Sequence, residues 1–362
     1  MAVLLDELPS FSCLETVQRS VRGARSTKLA LVDTLRLEVG FVGGKEVYSW
    51  PGVKRFNEST LSDLVGTGLT SNGEFASHAR NIFLNNVAAV SFQGEELLRG
   101  HHAAKYRYRI PAMFSAWRLT FSGRSGLASS QGLFWVDTES LELLRLEIDA
   151  DQIPPEIPVR SVHIQIDYGR TKLGEKAFWI PETAQLLWED YTGAAGRNDV
   201  AFSHCRTFRT DSSISFGDTP SPDPIPANLT LDLQLTTPVD SSKSSSGDEI
   251  LARVTRDVLR RGKVVVPQGA VVYGRIRRLE RYADPQPHYV VGLELTEITF
   301  AGKTAPFTGR LEKFSGHGTM ALSPDTANFE TTLQGVGSFV VPADSFILDN
   351  KFQMTWRTRE TK

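Results

Sequence analysis

The sequence lacks an excess of either charge: 40 Lys and Arg stand against 42 Asp and Glu over 362 residues, a formal net charge of −2. A dedicated nucleic-acid binder needs a basic surplus to neutralise phosphates, so that class is excluded. No stretch approaches the roughly 18 uninterrupted apolar residues of a membrane-crossing helix, so no transmembrane segment is expected. Cysteine is nearly absent, with two residues, and the seven histidines stand in no metal-ligand spacing such as His-Glu-x-x-His, nor is there a Cys-x-x-Cys. No metal and no cofactor is expected. The adjacent His101 and His102 would point to opposite faces of a strand and share a metal with difficulty.

Motifs of catalysis are missing as well. There is no Gly-x-Ser-x-Gly elbow, and no Ser, His and acid set can be picked out. Gly302-Lys303-Thr304 matches the end of a phosphate-binding loop, but Glu297 stands where the earlier Gly belongs. Its flanks also read as strand to strand rather than strand to helix, so it is a hairpin turn. Asp149, Asp151 and Glu156, beside Pro154-Pro155, are the candidates for paired glycosidase carboxylates, although the deciding separation is spatial. Acids at strand ends are more often solvated turn formers.

What is present is ordinary globular material, 40% hydrophobic, in a chain long enough for two domains. The opening Met1-Ala2-Val3-Leu4-Leu5-Asp6-Glu7 has neither the basic stretch nor the apolar run of a secretory signal. Those residues alone suggest a cytosolic chain, or one whose leader lies upstream. The cysteines point weakly the other way. One lies at each end of the proposed first domain, which suits a single staple in an oxidising compartment; two buried free thiols are the alternative.

Residues 8–25, with Leu8, Phe11, Leu14, Val17 and Val21 on one side and Glu15, Gln18, Arg19 and Arg22 on the other, predict an amphipathic helix. From Leu29 the period changes to two, and Gly43-Gly44 turns the chain into 46–50, a hairpin. Residues 60–70 start as a helix and break at Gly66 and Gly68; 75–85 predict a second helix. Strands follow at 88–92, 95–98, 102–110, 116–122, 132–137, 143–150, 160–168, 176–180, 184–190 and 199–209, an antiparallel meander without room for crossover helices. Asp218 to Pro226 places Pro at every second position from 220, an extended linker. Beyond it strands resume at 228–236, 249–257, 263–266, 271–280, 288–300 and 304–311, short enough for a small barrel.

The fold class expected is therefore mainly β (α+β): a curved antiparallel half-barrel sheet with one or two packed helices, then an all-β small barrel. The boundaries are 1–217 for the curved-sheet domain, 218–226 for the linker, 227–314 for the barrel, and 315–362 for a C-terminal stretch that forms a hairpin or arm, either apart from the barrel or as part of it.

Two stretches carry family resemblances. Gly132-Leu133-Phe134-Trp135-Val136-Asp137-Thr138, Leu144-Arg145-Leu146, Ile153-Pro154, Ile166-Asp167-Tyr168 and Phe178-Trp179-Ile180-Pro181 resemble the LolA-like class, periplasmic lipoprotein carriers and their lipid-binding relatives. That resemblance implies an unclosed barrel wrapped around a hydrophobic cavity and lidded by helices. Leu8-Pro9-Ser10-Phe11-Ser12-Cys13 and Phe202-Ser203-His204-Cys205-Arg206 look like the matching termini of secreted bacterial proteins with this domain, which favours a Cys13–Cys205 bond. In the second half, Thr237-Pro238-Val239-Asp240, Gly247-Asp248 and Val264 to Ile276, with Pro267-Gln268-Gly269 and Gly274-Arg275, resemble the β-barrel of type IV secretion and conjugation channel proteins. An envelope location follows from that resemblance. A channel does not, because the long membrane-crossing helices of those proteins are absent.

The leading expectation is a non-enzymatic periplasmic or outer-membrane-associated protein. Its first domain holds a lipid or acylated protein in the concavity, and its barrel docks an envelope protein partner. The lining candidates are Leu35, Leu37, Phe41, Trp50, Phe83, Trp117, Phe134, Trp135 and Trp179, although Trp117, Trp135 and Trp179 read more often as core than as a ligand lining. The alternatives are an envelope scaffold with a packed core and an enzyme acting on envelope glycans.

Overall fold

Segment 8–25, whose apolar spacing predicts a helix, is a β-strand, Phe11–Arg22 (β1). The computed structural model that shows this describes residues 8–42, 45–52, 61–65, 68–121, 124–207, 225–283, 286–315, 321–322, 333 and 335–360. In β1 the buried side chains include Phe11, Cys13, Glu15, Val17 and Arg19, a period of two. Leu14 is only half-buried and Val21 is exposed. The alternation was masked because two inward positions carry charged residues. Pairing to a strand on each side then outweighs the local spacing.

The chain divides into two compact units, Met1–Asp211 and Ser212–Lys362. The first continues with β2 (Ala30–Val42), β3 (Lys45–Ser49), the one-turn helix Leu61–Leu64, β4 (Leu69–Ser71) and the helix Ser77–Phe83. Then come β5 (Ala89–Leu98), β6 (His101–Ile110), β7 (Arg118–Phe121), β8 (Arg124–Leu127), β9 (Ser130–Asp137), β10 (Leu143–Ala150), β11 (Val159–Leu173), β12 (Lys176–Asp190) and β13 (Ala195–Thr207). Ten of these strands form one sheet in the order β3-β2-β1-β13-β12-β11-β10-β9-β6-β5, while β4, β7 and β8 form a small separate one. Every pairing is antiparallel. Two predicted breaks become bulges inside long strands. Pro181, which lacks a ladder N–H, sits opposite Tyr168 where the β11–β12 register shifts. Gly94 does the same between β5 and β6. The turn predicted at Gly43-Gly44 lies outside the described residues, but β2 and β3 on either side pair as a hairpin.

The second unit is all β. It comprises β14 (Thr230–Leu235), β15 (Val239–Asp240), β16 (Glu249–Val254), β17 (Val258–Arg260), β18 (Lys263–Val266), β19 (Val271–Tyr282), β20 (His288–Phe300) and β21 (Lys303–Pro306). β22 (Gly309–Ser315), β23 (Ala321–Leu322), β24 (Val336–Val341), β25 (Ile347–Leu348) and β26 (Gln353–Thr358) follow. The main order is β22-β26-β14-β16-β19-β20-β24-β23. This sheet curls back on itself. A Cβ on Gly337 of β24 would stand 2.5 Å from the Leu311 Cβ of β22, so two strands far apart in the order meet around Trp356, Phe339 and Phe352. In the C-terminal stretch β24 lies between β20 and β23, both antiparallel to it, while β26 lies between β14 and β22. Ala301 and Gly302, both at positive φ, make the tight turn from β20 to β21, which is the hairpin chemistry expected of that Gly-Lys-Thr stretch. Most of the Pro-rich segment, up to residue 224, lies outside the described residues.

Candidate functional site

The inner face of the ten-stranded sheet collects the apolar side chains that alternate along its strands. Leu35, Leu37 and Phe41 from β2, Trp50, Trp117 and Phe134 are all buried in one cluster with Ile148, Ile164, Ile166 and Leu186; Phe83 packs against it partly buried. Trp135 is not among them. It follows Phe134 on β9 and so faces the other way. There it is 4% exposed beside Ala103 and Leu144, with its indole N–H donated to Glu96 Oε1 at 2.6 Å and the Lys105 ammonium 5.0 Å from the ring. Trp179, partly buried, touches both clusters. The nine predicted lining residues thus divide between two faces.

Where the polar residues of the inner face gather, a cavity of about 40 Å³ is bounded by Glu15, Val17, Arg19, Leu35, Leu37, Leu61, Val65, Thr70, Ser71, Glu74, Leu186, Asn198 and Val200. That is room for about one to three water molecules. A cover, residues 61–65 and 68–88, packs its apolar side chains into the concavity, and its regular structure is two short helices and the three-residue strand β4. Phe75 of the cover is its apolar anchor. Its ring lies 4.8 Å from Phe11 and 5.3 Å from Phe202, next to the Cys13–Cys205 disulfide that joins β1 to β13.

One carboxylate pins the cover. Glu46, on β3, accepts backbone N–H bonds from Ala76 (2.7 Å) and Ser77 (2.8 Å) at Oε1, and from Gly73 (2.9 Å) at Oε2, where the Tyr48 hydroxyl also donates. Trp117 donates its indole N–H to Ser71 Oγ at 2.9 Å, and Asn198 donates to the Leu69 carbonyl at 3.1 Å. His78 stands edge-on to Trp117 at 5.4 Å, and burial pushes its pKa down to about 3, so it is neutral. Glu46→Ala removes three bonds from backbone N–H groups to a charged acceptor. It is expected to destabilise the closed cover by about 2 to 4 kcal/mol. Hydrogen exchange at Gly73, Ala76 and Ser77 checks this, and unchanged protection at these amides would remove Glu46 as a latch.

Two more acids are buried here, Glu15 on β1 under the cover and Glu74 in the cover itself. Glu15 is 8% exposed and its Oε2 has no hydrogen-bond partner. Burial, helped by Glu74 and Glu46, raises its pKa to about 8. Burial raises Glu74 to about 7, with Glu46 adding and a Ser71 hydrogen bond subtracting. The neighbouring Arg19 is engaged by Asp33, Nε to Oδ1 at 2.8 Å. Sequence reading assigned Glu15 to the polar face of a helix and gave Glu46 and Glu74 no role; they are 31 and 28 residues apart along the chain, and no local signal joins them.

The outer face of the same sheet carries a groove of about 460 Å³, lined by Thr16, Gln18, Gln165, Asp167, Thr183, Ala184, Gln185, Asp199, Val200 and Ala201. Its floor is two rows across four strands. Thr16, Ala201, Thr183 and Asp167 are in register in one row, and Gln18, Asp199, Gln185 and Gln165 in the next. The spacings Gln165–Asp167 and Arg197–Asp199 do put each pair on one strand face, but no sequence signal brings the four strands together.

The carboxylates considered for glycoside chemistry are held by basic partners or lie in a turn. Asp149 accepts from His163 at 2.7 Å, Asp151 pairs with Arg109, and Glu156 lies in the turn after Pro154-Pro155. His101 bonds Asp137 at 2.8 Å, while His102 is exposed. Among the described residues no three His, Cys, Asp or Glu are placed to hold a metal ion, and no helix is long and apolar enough to cross a membrane.

No family model matches the sequence, and no curated protein matches it. Solved structures with some likeness include a DUF1329 family protein from Desulfovibrio piger, 16% identical over 60% of this chain and 92% of that one, with a TM-score of 0.30. A LolA superfamily protein from Nitrosomonas europaea is 14% identical over 59% of this chain and 92% of its own, TM-score 0.25. A component of the Com type IV secretion system of Helicobacter pylori is 10% identical over 37% and 86%, TM-score 0.23.

Proposed function

We propose that this chain is a non-enzymatic protein of the bacterial cell envelope, periplasmic or outer-membrane-associated. In this reading it holds a lipid or an acylated protein against the inner face of its first sheet when the cover lifts. The observation that carries it is the roof itself. An apolar face spanning most of a ten-stranded sheet is closed by a short, largely irregular stretch, pinned at one carboxylate, with buried Glu15 beneath it and buried Glu74 within it. Leu61, Val65, Leu69, Phe75 and Ile82 of the cover occupy the place an acyl chain would take. Leu35, Leu37, Phe41, Trp50, Phe83, Trp117 and Phe134 would line it, with Trp179 at the margin. The Cys13–Cys205 bond supports an oxidising compartment.

The second unit would be the docking module for an envelope protein. Its β17–β18 ribbon carries exposed Leu259 and Val264 beside Arg260, Arg261 and Lys263. A second reading, an envelope scaffold with no ligand, is favoured by the filled concavity.

Organic extraction of the purified protein followed by mass spectrometry, together with uptake of a fluorescent fatty acid, separates the two. Bound acyl species and saturable uptake, enhanced by Glu46→Ala, are expected. If neither the native chain nor the Glu46→Ala variant binds acyl chains, the scaffold reading replaces the carrier.

A further inference from the structure

The outer-face groove is built around a duplicated motif that carrier function does not use. On one side Arg145 grips Asp167 with two bonds, Nε to Oδ1 at 2.7 Å and Nη2 to Oδ2 at 3.2 Å, and Gln165 donates to Asp167 Oδ2 at 2.9 Å. On the other, Arg197 Nε donates to Asp199 Oδ2 at 2.7 Å and Gln185 donates to Asp199 Oδ1 at 2.7 Å. Gln165 and Gln185 stand directly opposite each other on β11 and β12. Two Arg–Asp–Gln triads therefore converge on a pair of carboxamides at the centre of the floor.

Each triad has two consequences. The Arg neutralises the Asp, so the groove presents little net charge of either sign. The Asp also fixes one amide donor of its Gln, which settles the side chain's orientation and leaves the carbonyl oxygen and the second N–H for a ligand. Fixing these long side chains in advance lowers the ordering cost of binding. Thr16, Thr183 and Gln18 add hydroxyl and amide groups that both donate and accept.

We propose that this groove binds an uncharged, polyhydroxylated glycan segment. The volume is within the range of ligand pockets. Acyl chains are disfavoured by the amide, carboxylate and hydroxyl lining, phosphates by the two carboxylates, and free cations by the arginines already engaged with them. An extended peptide usually adds to a free sheet edge, whereas β1, β13, β12 and β11 are each paired on both sides. Sugar hydroxyls, which donate and accept at once, match carboxamide and threonine groups one to one.

The reading is independent of the acyl-carrier proposal, because the groove lies on the opposite face of the sheet from the cover. Calorimetric titration of the full chain with cellotetraose, maltotetraose and N-acetylated chitotetraose tests it, with tetraglycine as the peptide probe. At least one oligosaccharide is expected to bind with a Kd on the order of 0.1 to 1 mM. Gln165→Ala with Gln185→Ala should weaken it at least about tenfold at an unchanged melting temperature, and Gln93→Ala, on the exposed strand β5, should not. No binding of any of the three sugars at millimolar concentration overturns the proposal. So does sugar binding indifferent to the glutamine pair, and so does tetraglycine binding through that pair in place of the sugars.

Discussion

Reducing the Cys13–Cys205 bond is expected to destabilise the first unit by about 5 kcal/mol. The bond ties residues 192 apart in sequence, and in the chain-entropy account a loop of that length removes about this much freedom from the unfolded chain. The site gives the bond a second role. β1 and β13 are neighbours in the sheet, and their register shifts between Ser12 and Leu14, where Cys13 lies; His204, beside Cys205, sits at positive φ. The disulfide thus clamps an irregular place in the ladder just where Phe11 and Phe202 receive the cover's Phe75. Denaturation with and without reductant measures the effect, and the second unit, which has no cysteine, supplies an internal reference transition. A shift of the first transition below about 1 kcal/mol would mean that the paired strands hold the fold without the clamp. Fluorescent fatty acid uptake should rise on reduction if the cover is anchored through this corner.

Raising the pH from about 5 to 8 is expected to loosen the first unit. Glu15 and Glu74 have folded-state pKa values of about 8 and about 7, above the 4.5 of an unperturbed glutamate. The folded state therefore retains protons that the unfolded chain gives up. Stability is full below about pH 4.5 and falls as pH rises through the folded values. The groups facing these two acids are Glu46 and Tyr48 from β3, Arg19 with its partner Asp33 from β1 and β2, and Asn198 from β13. The only cation among them is already neutralised. Glu15→Gln, which cannot ionise, should stabilise the unit at pH 8 by on the order of 2 to 4 kcal/mol and flatten the profile. His163, raised by its bond to Asp149, also loses stability with rising pH, so the difference between native and Glu15→Gln chains isolates the buried acid. Melting curves from pH 5 to 8.5 decide it. A native profile that rises with pH, or a Glu15→Gln profile parallel to it, would show that these carboxyls reach solvent in the folded state.

The pH dependence bears on the carrier reading. A cover that carries one buried acid and rests on another is held less firmly at neutral pH than in mild acid, and Glu46 is what opposes its release. Uptake of an acyl probe should therefore follow the same pH trend as stability, with the opposite sign.

How much of this was legible in the sequence can be judged from particular segments. The hairpin at 29–49, the strands at 143–150 and 288–300, and the turn at Gly302 were readable because alternation and turn chemistry are local. The opening strand was not. Glu15 and Arg19 occupy inward positions that a pattern reader takes for solvent, and only the pairing of β1 with both β2 and β13 makes them interior. Of the lining candidates, Leu35, Leu37, Phe41, Trp50, Trp117 and Phe134 share one buried cluster, because these are large apolar residues at core positions. Trp135 lies in a separate cluster on the other face, because neighbours on a strand face apart.

By itself the sequence determined that this is a mainly β protein of two halves, without a long apolar span and without an excess of either charge. Those properties follow from composition and from periodicities of a few residues. The Cys13–Cys205 bond, which the resemblance favoured, is present. Tertiary structure alone decided that Glu15, Glu46 and the cover's Glu74 come together, and that two Arg–Asp–Gln triads bring Gln165 against Gln185. The strand residues among these depend on the register between strands distant in the chain, and a shift of one residue in that register would send their side chains to the other face of the sheet.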